Sequence, residues 1–223
     1  DSLSSVFDGA SFANAVLTSN GFVRIYFDLE VDSDQRGERG VGIASALSEN
    51  GIDGWVDEGL IIEPRRSFED LSAVEASKLS GAKVITTNSG EFRMYLTETF
   101  VVGFALDSVS KVWGLTSTDG LVWSWDEEVT LEYSEDFEGV GKSTYVDGVS
   151  EVEVVPFGNG WLMFYTANSG LFAATSDDGV SWKKIGSLDL KITDVTIISL
   201  GSARTSDAQY KIYGEEENDS EEA

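Results

Sequence analysis

The chain has 223 residues, 41% of them hydrophobic, and its 40 acidic against 15 basic side chains leave a formal charge of −25. That length and apolar content can build a sizeable core, while the charge argues against nucleic acid and anionic membrane surfaces as partners, which are gripped by stripes of Lys and Arg. The sequence has no Cys and no His, which excludes disulfides, thiolate chemistry and the commonest general base and leaves catalysis to carboxylates, Tyr, Ser/Thr, Lys or Arg.

Any metal would be an oxygen-ligated one such as Ca²⁺. Asp32-x-Asp34 and Glu135-Asp136-x-Glu138 are the oxygen-rich clusters that could hold it, although neither has EF-hand spacing and solvated charge is the commoner meaning of such runs. No stretch approaches the ~20 apolar residues of a membrane span. The chain opens at Asp1 without a charged and apolar leader, which fits a processed, exported protein, extracellular or periplasmic.

Residues 1–11 are polar apart from Leu3, Val6 and Phe7, and are expected to close a sheet formed elsewhere in the chain. Phe12 to Thr18, the turn Asn20-Gly21 and the alternating run Phe22 to Phe27 read as a hairpin. Val41 to Leu47 and Val56 to Ile62 supply a third and a fourth strand, the last ended by Pro64. Between them stands Ser48-Glu49-Asn50-Gly51-Ile52-Asp53-Gly54-Trp55, which looks like two later turns, Ser117 to Trp123 and Ser176 to Trp182, with Asn for Asp and one residue inserted before the Trp.

The order then repeats. Ala82 to Thr87, Asn88-Ser89-Gly90 and Glu91 to Leu96 form a second hairpin, followed by an insertion from Val101 to Ser108, a strand from Val112 to Thr116, then Ser117-Thr118-Asp119-Gly120-Leu121-Val122-Trp123. A third round runs through Glu153 to Val155, the turn Gly158-Asn159-Gly160, Trp161 to Tyr165 and Gly170 to Thr175, and then Ser176-Asp177-Asp178-Gly179-Val180-Ser181-Trp182 and Lys183 to Leu188. A fourth has only Val195 to Leu200 and Gln209 to Tyr213. Leu71 to Leu79 alone has the pattern of a helical turn or two, and the acidic tail 214–223 is expected to be disordered.

Ser-x-Asp-Gly-x-x-Trp is a turn with a mechanism: the carboxylate accepts backbone N–H bonds, Gly supplies φ > 0, and the Trp opens the next strand as a lid. Tyr26, Tyr95, Phe164 and Tyr213 occupy corresponding positions, 69, 69 and 49 residues apart. Units of four antiparallel strands with variable loops predict an all-β fold, a β-propeller over residues 1–213.

The motif is similar to the Asp-box of sialidase-type propellers. The fuller unit, with Phe92-Arg93-Met94-Tyr95 and Ala174-Thr175-Ser176-Asp177-Asp178-Gly179, resembles the five-bladed propeller superfamily of glycoside hydrolases, which includes arabinanases, xylosidases, fructosidases and mannoside phosphorylases. The resemblance implies five blades, with four as the alternative count, and N-terminal residues completing the last one. It also implies carboxylates at the channel-facing start of each innermost strand, because glycosidic cleavage needs a proton donor and a second carboxylate at a set separation. Aligning the units by their turns puts Phe12, Gly81, Glu151 and Asp194 at that position; looser alignment adds Asp8, Glu75 and Asp147. The implied catalytic set is Glu75, Glu151 and Asp194, with Asp8, Asp147 and Trp161 against substrate, although for Trp161 a buried strand aromatic is the commoner reading. The Asp-Pro typical of the first blade is absent, and Phe12 and Asn14 stand near where its Asp belongs. Arg24 and Arg93 sit at repeat-equivalent strand positions and read as structural rather than as a sialidase's carboxylate clamp. The function implied is recognition of a glycan or polysaccharide, with hydrolysis through channel carboxylates, or a non-enzymatic interaction or surface-assembly module with a protein partner.

Overall fold

The structure is a computed structural model describing residues 11–32, 39–64, 74–87, 89–102, 107–132, 146–167, 170–190, 192–200 and 209–216. Those residues form fifteen strands and no helix. Unit 1 is β1 (Ser11–Leu17), β2 (Val23–Asp32), β3 (Arg39–Ser48) and β4 (Val56–Ile62). Unit 2 is β5 (Val74–Thr86), β6 (Phe92–Val102), β7 (Asp107–Ser117) and β8 (Ser124–Trp125), with β9 (Val146–Gly148) parallel beside β7. Unit 3 is β10 (Ser150–Phe157), β11 (Gly160–Ala167), β12 (Gly170–Ser176) and β13 (Lys183–Ser187), and β14 (Ile192–Leu200) with β15 (Gln209–Glu216) opens a fourth.

Each unit is an antiparallel meander. The innermost strands follow one another, β1 against β5, β5 against β10 and β10 against β14, and an apolar layer fills each gap. Tyr26, Ile43, Leu79, Met94 and Leu115 lie between units 1 and 2, Tyr95, Val154, Met163 and Tyr165 between units 2 and 3, and Phe164, Leu171 and Ile197 between units 3 and 4. Antiparallel meanders packed face to face through these apolar layers make this a β-propeller fold, and one parallel pair, Val41↔Lys78, links β3 of unit 1 to β5 of unit 2.

Local chemistry explains the elements. The hairpins Thr18–Phe22 and Thr87–Glu91 close with the same pair of backbone bonds, with Gly21 and Gly90 at φ +79° and +85°. The third-to-fourth-strand turns are near copies of one another. Asp119 Oδ1 accepts the N–H groups of Leu121 and Val122, and Asp178 Oδ1 those of Val180 and Ser181. Asn50 Oδ1 does the same for Ile52 and Asp53, because an amide oxygen offers the same lone pairs without the charge. In each turn the Ser hydroxyl accepts the Gly N–H. Those backbone bonds hold the exposed Asp119 and Asp178 carboxyls below the usual range.

A second device joins the units. Arg24 Nη1 donates to Asp119 O at 2.6 Å and Tyr26 Oη to Gly120 O at 3.1 Å; one unit along, Arg93 Nε and Tyr95 Oη both donate to Gly179 O, at 2.7 and 2.6 Å. Burial pushes both phenols up to about 12, so they remain donors. Arg24 is anchored from behind by Glu58 at 2.8 and 2.9 Å, and Arg93 by Asp126. Both arginines are therefore structural, as their repeat positions imply. At Gly120 (φ +76°) an added Cβ would stand 2.5 Å from Arg24 Nη1 and 2.6 Å from Tyr26 Oη. Gly120→Ala is therefore expected to cost about 2–4 kcal/mol, read by urea unfolding, against about 1 kcal/mol for Ala at Gly158, where φ is +58° but nothing stands within 4 Å of the added Cβ.

Three expectations change. Val74 to Leu79, within the stretch with a helical pattern, is extended, because it pairs with Glu98 to Val102 as the leading half of β5. Val101 and Val102, expected to open an insertion, end β6, and Asp107 and Ser108 begin β7, paired Val101↔Ser108 and Val102↔Asp107. Residues 214–216, expected to belong to the acidic tail, are part of β15, which continues to Glu216. Residues 1–10, expected to complete a blade, lie outside the described residues.

Candidate functional site

Every innermost strand carries the same irregularity. Pairing runs Ser11↔Asp28 then Asn14↔Tyr26, Ser80↔Thr97 then Lys83↔Tyr95, Ser150↔Thr166 then Glu153↔Phe164, and Thr193↔Glu215 then Thr196↔Tyr213. Two residues oppose one in all four, a β-bulge that re-aims a side chain. The first bulged residues are Phe12, Gly81, Glu151 and Asp194, the four that the turns alone align. Because the inner strands begin at this end, the Ser-x-Asp-Gly turns after the third strands lie at the opposite one.

The bulge sets Gly81 at φ +64° and Glu151 at φ +50°. Glycine adopts that backbone freely, whereas a glutamate loses about 1 kcal/mol there. Strain of this kind concentrates at functional positions. Thr166 Oγ1 donates to Glu151 Oε2 at 3.2 Å and exchanges a 3.0 Å bond with the Ser150 hydroxyl, orienting the carboxylate, which remains partly exposed.

Strand direction brings the other candidates to the same end. Glu75 lies in the leading half of β5, Asp147 in β9 opposite Val109, and Asp194 at the β14 bulge. Of these four carboxylates only the Glu151 side chain is described; Asp8 lies outside the described residues. Trp161, expected to stack on substrate, is instead a core residue, 6% exposed and packed beneath the Gly179 turn, so it has no face to offer a sugar. The expectation fails because Trp161 alternates into the layer between units 2 and 3.

Two features near the bulges escape sequence reasoning. Asp28, 3% exposed, accepts the Gly81 N–H on both oxygens at 3.1 and 3.3 Å, so unit 1 holds the bulge of unit 2. Burial pushes its carboxyl up to about 7 against the lowering effect of that bond. Asn14 Oδ1 accepts the Val84 N–H at 2.9 Å, and Lys83 Nζ pairs with Glu153 at 2.5 Å. Burial raises the Glu153 carboxyl and Lys83 opposes the rise. The available signal was periodic: Asn14, Lys83, Glu153 and Thr196, opposite the four aromatics, are polar in every unit.

A cavity of 810 Å³ opens on the outer strands between units 2 and 3, lined by Trp113, Glu127, Glu128, Glu132, Trp182 and Lys183 among others. No candidate named from the sequence borders it. Among the described residues no group of three or more acidic side chains is placed to hold a metal, and no helix is long and apolar enough to cross a membrane. The clusters at 32–34 and 135–138 fall outside the described side chains.

No protein-family model matches the sequence, and no curated protein is similar to it in sequence. Solved structures are similar in fold. A glycosyl hydrolase from Bacteroides ovatus is 17% identical, with 81% of this chain covering 50% of that one at a TM-score of 0.55. A family 117 glycoside hydrolase from the marine bacterium Zobellia galactanivorans is 14% identical, covering 86% and 59% at 0.62, and the exo-inulinase of Aspergillus awamori is 14% identical, covering 91% and 43% at 0.62. The chain spans about half the length of these structures. The likeness is one of fold: this chain shares the β-propeller fold of these solved structures.

Proposed function

We propose that this protein is a carbohydrate-recognising propeller that binds a glycan at the bulge end of its inner strands, in an extracellular or periplasmic setting. Glu151 is the central carboxylate of this reading, and Glu75, Asp194 and Asp147, carried on strands at the same end, are the further candidates. The observation that carries the reading is the recurrence of one bulge in four inner strands, occupied in unit 3 by a glutamate at φ +50° where unit 2 has glycine. A partly exposed glutamate at positive φ, its carboxylate bonded by the Thr166 hydroxyl, suits a ligand for sugar hydroxyls better than a structural residue.

The bulge residues of units 1 and 2, Phe12 and Gly81, carry no acid. Hydrolysis needs two carboxylates flanking one bond, so this observation favours a second reading, a binding or surface-assembly module that keeps the scaffold alone. A glycan array run beside a panel of chromogenic glycosides separates the two. If the protein is a hydrolase, Glu151→Gln is expected to lower turnover at least about 100-fold while glycan binding persists. Binding without turnover in the parent selects the second reading, and the absence of both rejects the carbohydrate assignment.

A further inference from the structure

The chain has three Asn-Gly pairs, Asn20-Gly21, Asn50-Gly51 and Asn159-Gly160. In this dipeptide the glycine nitrogen can attack the carbon of the asparagine amide, because no Cβ on the glycine obstructs the approach. The reaction needs an amide free to swing into line and a following backbone free to yield to it. The three turns meet those conditions differently. At Asn50 the amide is bound on both sides: Oδ1 accepts the N–H groups of Ile52 and Asp53 at 2.8 and 3.0 Å and the Ser48 hydroxyl at 3.1 Å, while Nδ2 donates to Asp53 Oδ1 at 2.7 Å. The Gly51 N–H is itself donated to Ser48 Oγ at 3.0 Å. Asp53 also explains why this turn has an amide where its sisters have Asp119 and Asp178. Its carboxylate would face a second one there, whereas the sister turns place Val122 and Ser181 at that position.

At Asn159 the restraint falls on the glycine. Gly160 is buried, opens β11 paired with Phe157, and has Ser176 O where a Cβ would stand. Closing an imide ring would pull its nitrogen out of that pairing. Asn20 has neither restraint. It is exposed, and among the described residues no hydrogen bond engages its amide; Gly21 is exposed as well, at φ +79° and outside any strand, with nothing within 4 Å of an added Cβ. The Gly21 N–H does donate to Thr18 O at 2.9 Å, so Asn20 differs from Asn50 in its amide and not in its nucleophile.

We propose that Asn20 is a site of spontaneous deamidation, and that Asn50 and Asn159 are held against the same reaction by the bonding of their own turns. The Gly21 nitrogen gives its proton to hydroxide and forms a bond to Asn20 Cγ, the Cγ–Nδ2 bond breaks, and ammonia leaves. Water then opens the cyclic imide at either carbonyl, giving aspartate or isoaspartate. The second product carries an extra methylene in the main chain between β1 and β2. That turn lies at the end of the inner strands away from the bulges, so the proposal stands apart from the glycan reading.

Peptide mass mapping of the full chain tests this, after incubation at mildly alkaline pH with and without guanidinium chloride. In the denatured chain all three asparagines should convert at similar rates. In the folded protein Asn20 should stay within about threefold of its denatured rate, whereas Asn50 and Asn159 should be slowed about 100-fold or more. Asp53→Ala removes the acceptor of Asn50 Nδ2 and should speed conversion of Asn50 about tenfold while leaving Asn20 unchanged. Asp53 is exposed, so the circular dichroism of the variant should match the parent. Equal rates at the three sites in the folded protein overturn the proposal, as does an Asn20 slowed as much as Asn50 or an Asn50 rate that Asp53→Ala leaves unmoved.

Discussion

Replacing Arg93 by alanine is expected to lower the free energy of unfolding by about 3–5 kcal/mol, the cost of stranding one partner of a buried ion pair. Arg93 donates Nε to Gly179 O at 2.7 Å and Nη1 to Asp126 Oδ1 at 3.0 Å, with Nη2 against Asp126 Oδ2. Removing the guanidinium leaves the Asp126 carboxylate, 17% exposed, without its counter-charge. Gly179 O keeps the Tyr95 hydroxyl at 2.6 Å, so most of the loss should be electrostatic. A double variant, Arg93→Met with Asp126→Leu, should recover the greater part of it, because the stranded charge disappears together with its partner. Urea unfolding of the two variants decides the matter. A double variant as unstable as Arg93→Ala would mean that the Arg–turn contact, not the ion pair, carries the stability. Arg93→Lys should not rescue, since an ammonium cannot address Gly179 and both Asp126 oxygens at once.

Asp28 sets the second large effect, through pH. Its folded-state value of about 7 lies above the ordinary 3.8, so folding is coupled to proton uptake between those values. The stabilising contribution of the protonated carboxyl is complete below about pH 4 and is lost as pH rises through 7, a change on the order of 4 kcal/mol. Asp28→Asn keeps an oxygen for the Gly81 N–H and cannot ionise. Its stability should exceed the parent's above pH 7, with the difference vanishing near pH 4. Repulsion among the other carboxylates is nearly the same in both proteins and cancels in the comparison. Parallel stability curves for the two proteins across that range would show that Asp28 does not titrate in the folded state as its burial requires.

Much of the site's frame was legible before any coordinates. Phe12, Gly81, Glu151 and Asp194 could be aligned because the turns that follow them are spelled alike, and the bulge falls on each. Asn50 could be placed in the motif despite an inserted residue because its amide oxygen makes the bonds of an aspartate. Asp28 was not legible as a special residue, since an Asp at the end of an apolar strand run reads as the start of a loop. Trp161 misled because nothing local separates an indole that stacks on a ligand from one that fills a core.

The sequence by itself determined the strands, their turns and the repeat, because these depend on alternation, on φ > 0 at glycine and on side chains that bond their own backbone a few residues away. The tertiary structure alone decided which groups meet between units: Arg24 with Asp119, Tyr95 with Gly179 and Asp28 with Gly81 join residues 95, 84 and 53 positions apart. The reason is physical. A turn is selected by the energy of its own few residues, whereas a buried polar group takes whichever partner the stacking of whole sheets brings within about 3 Å, and that stacking is set by the apolar layers between them.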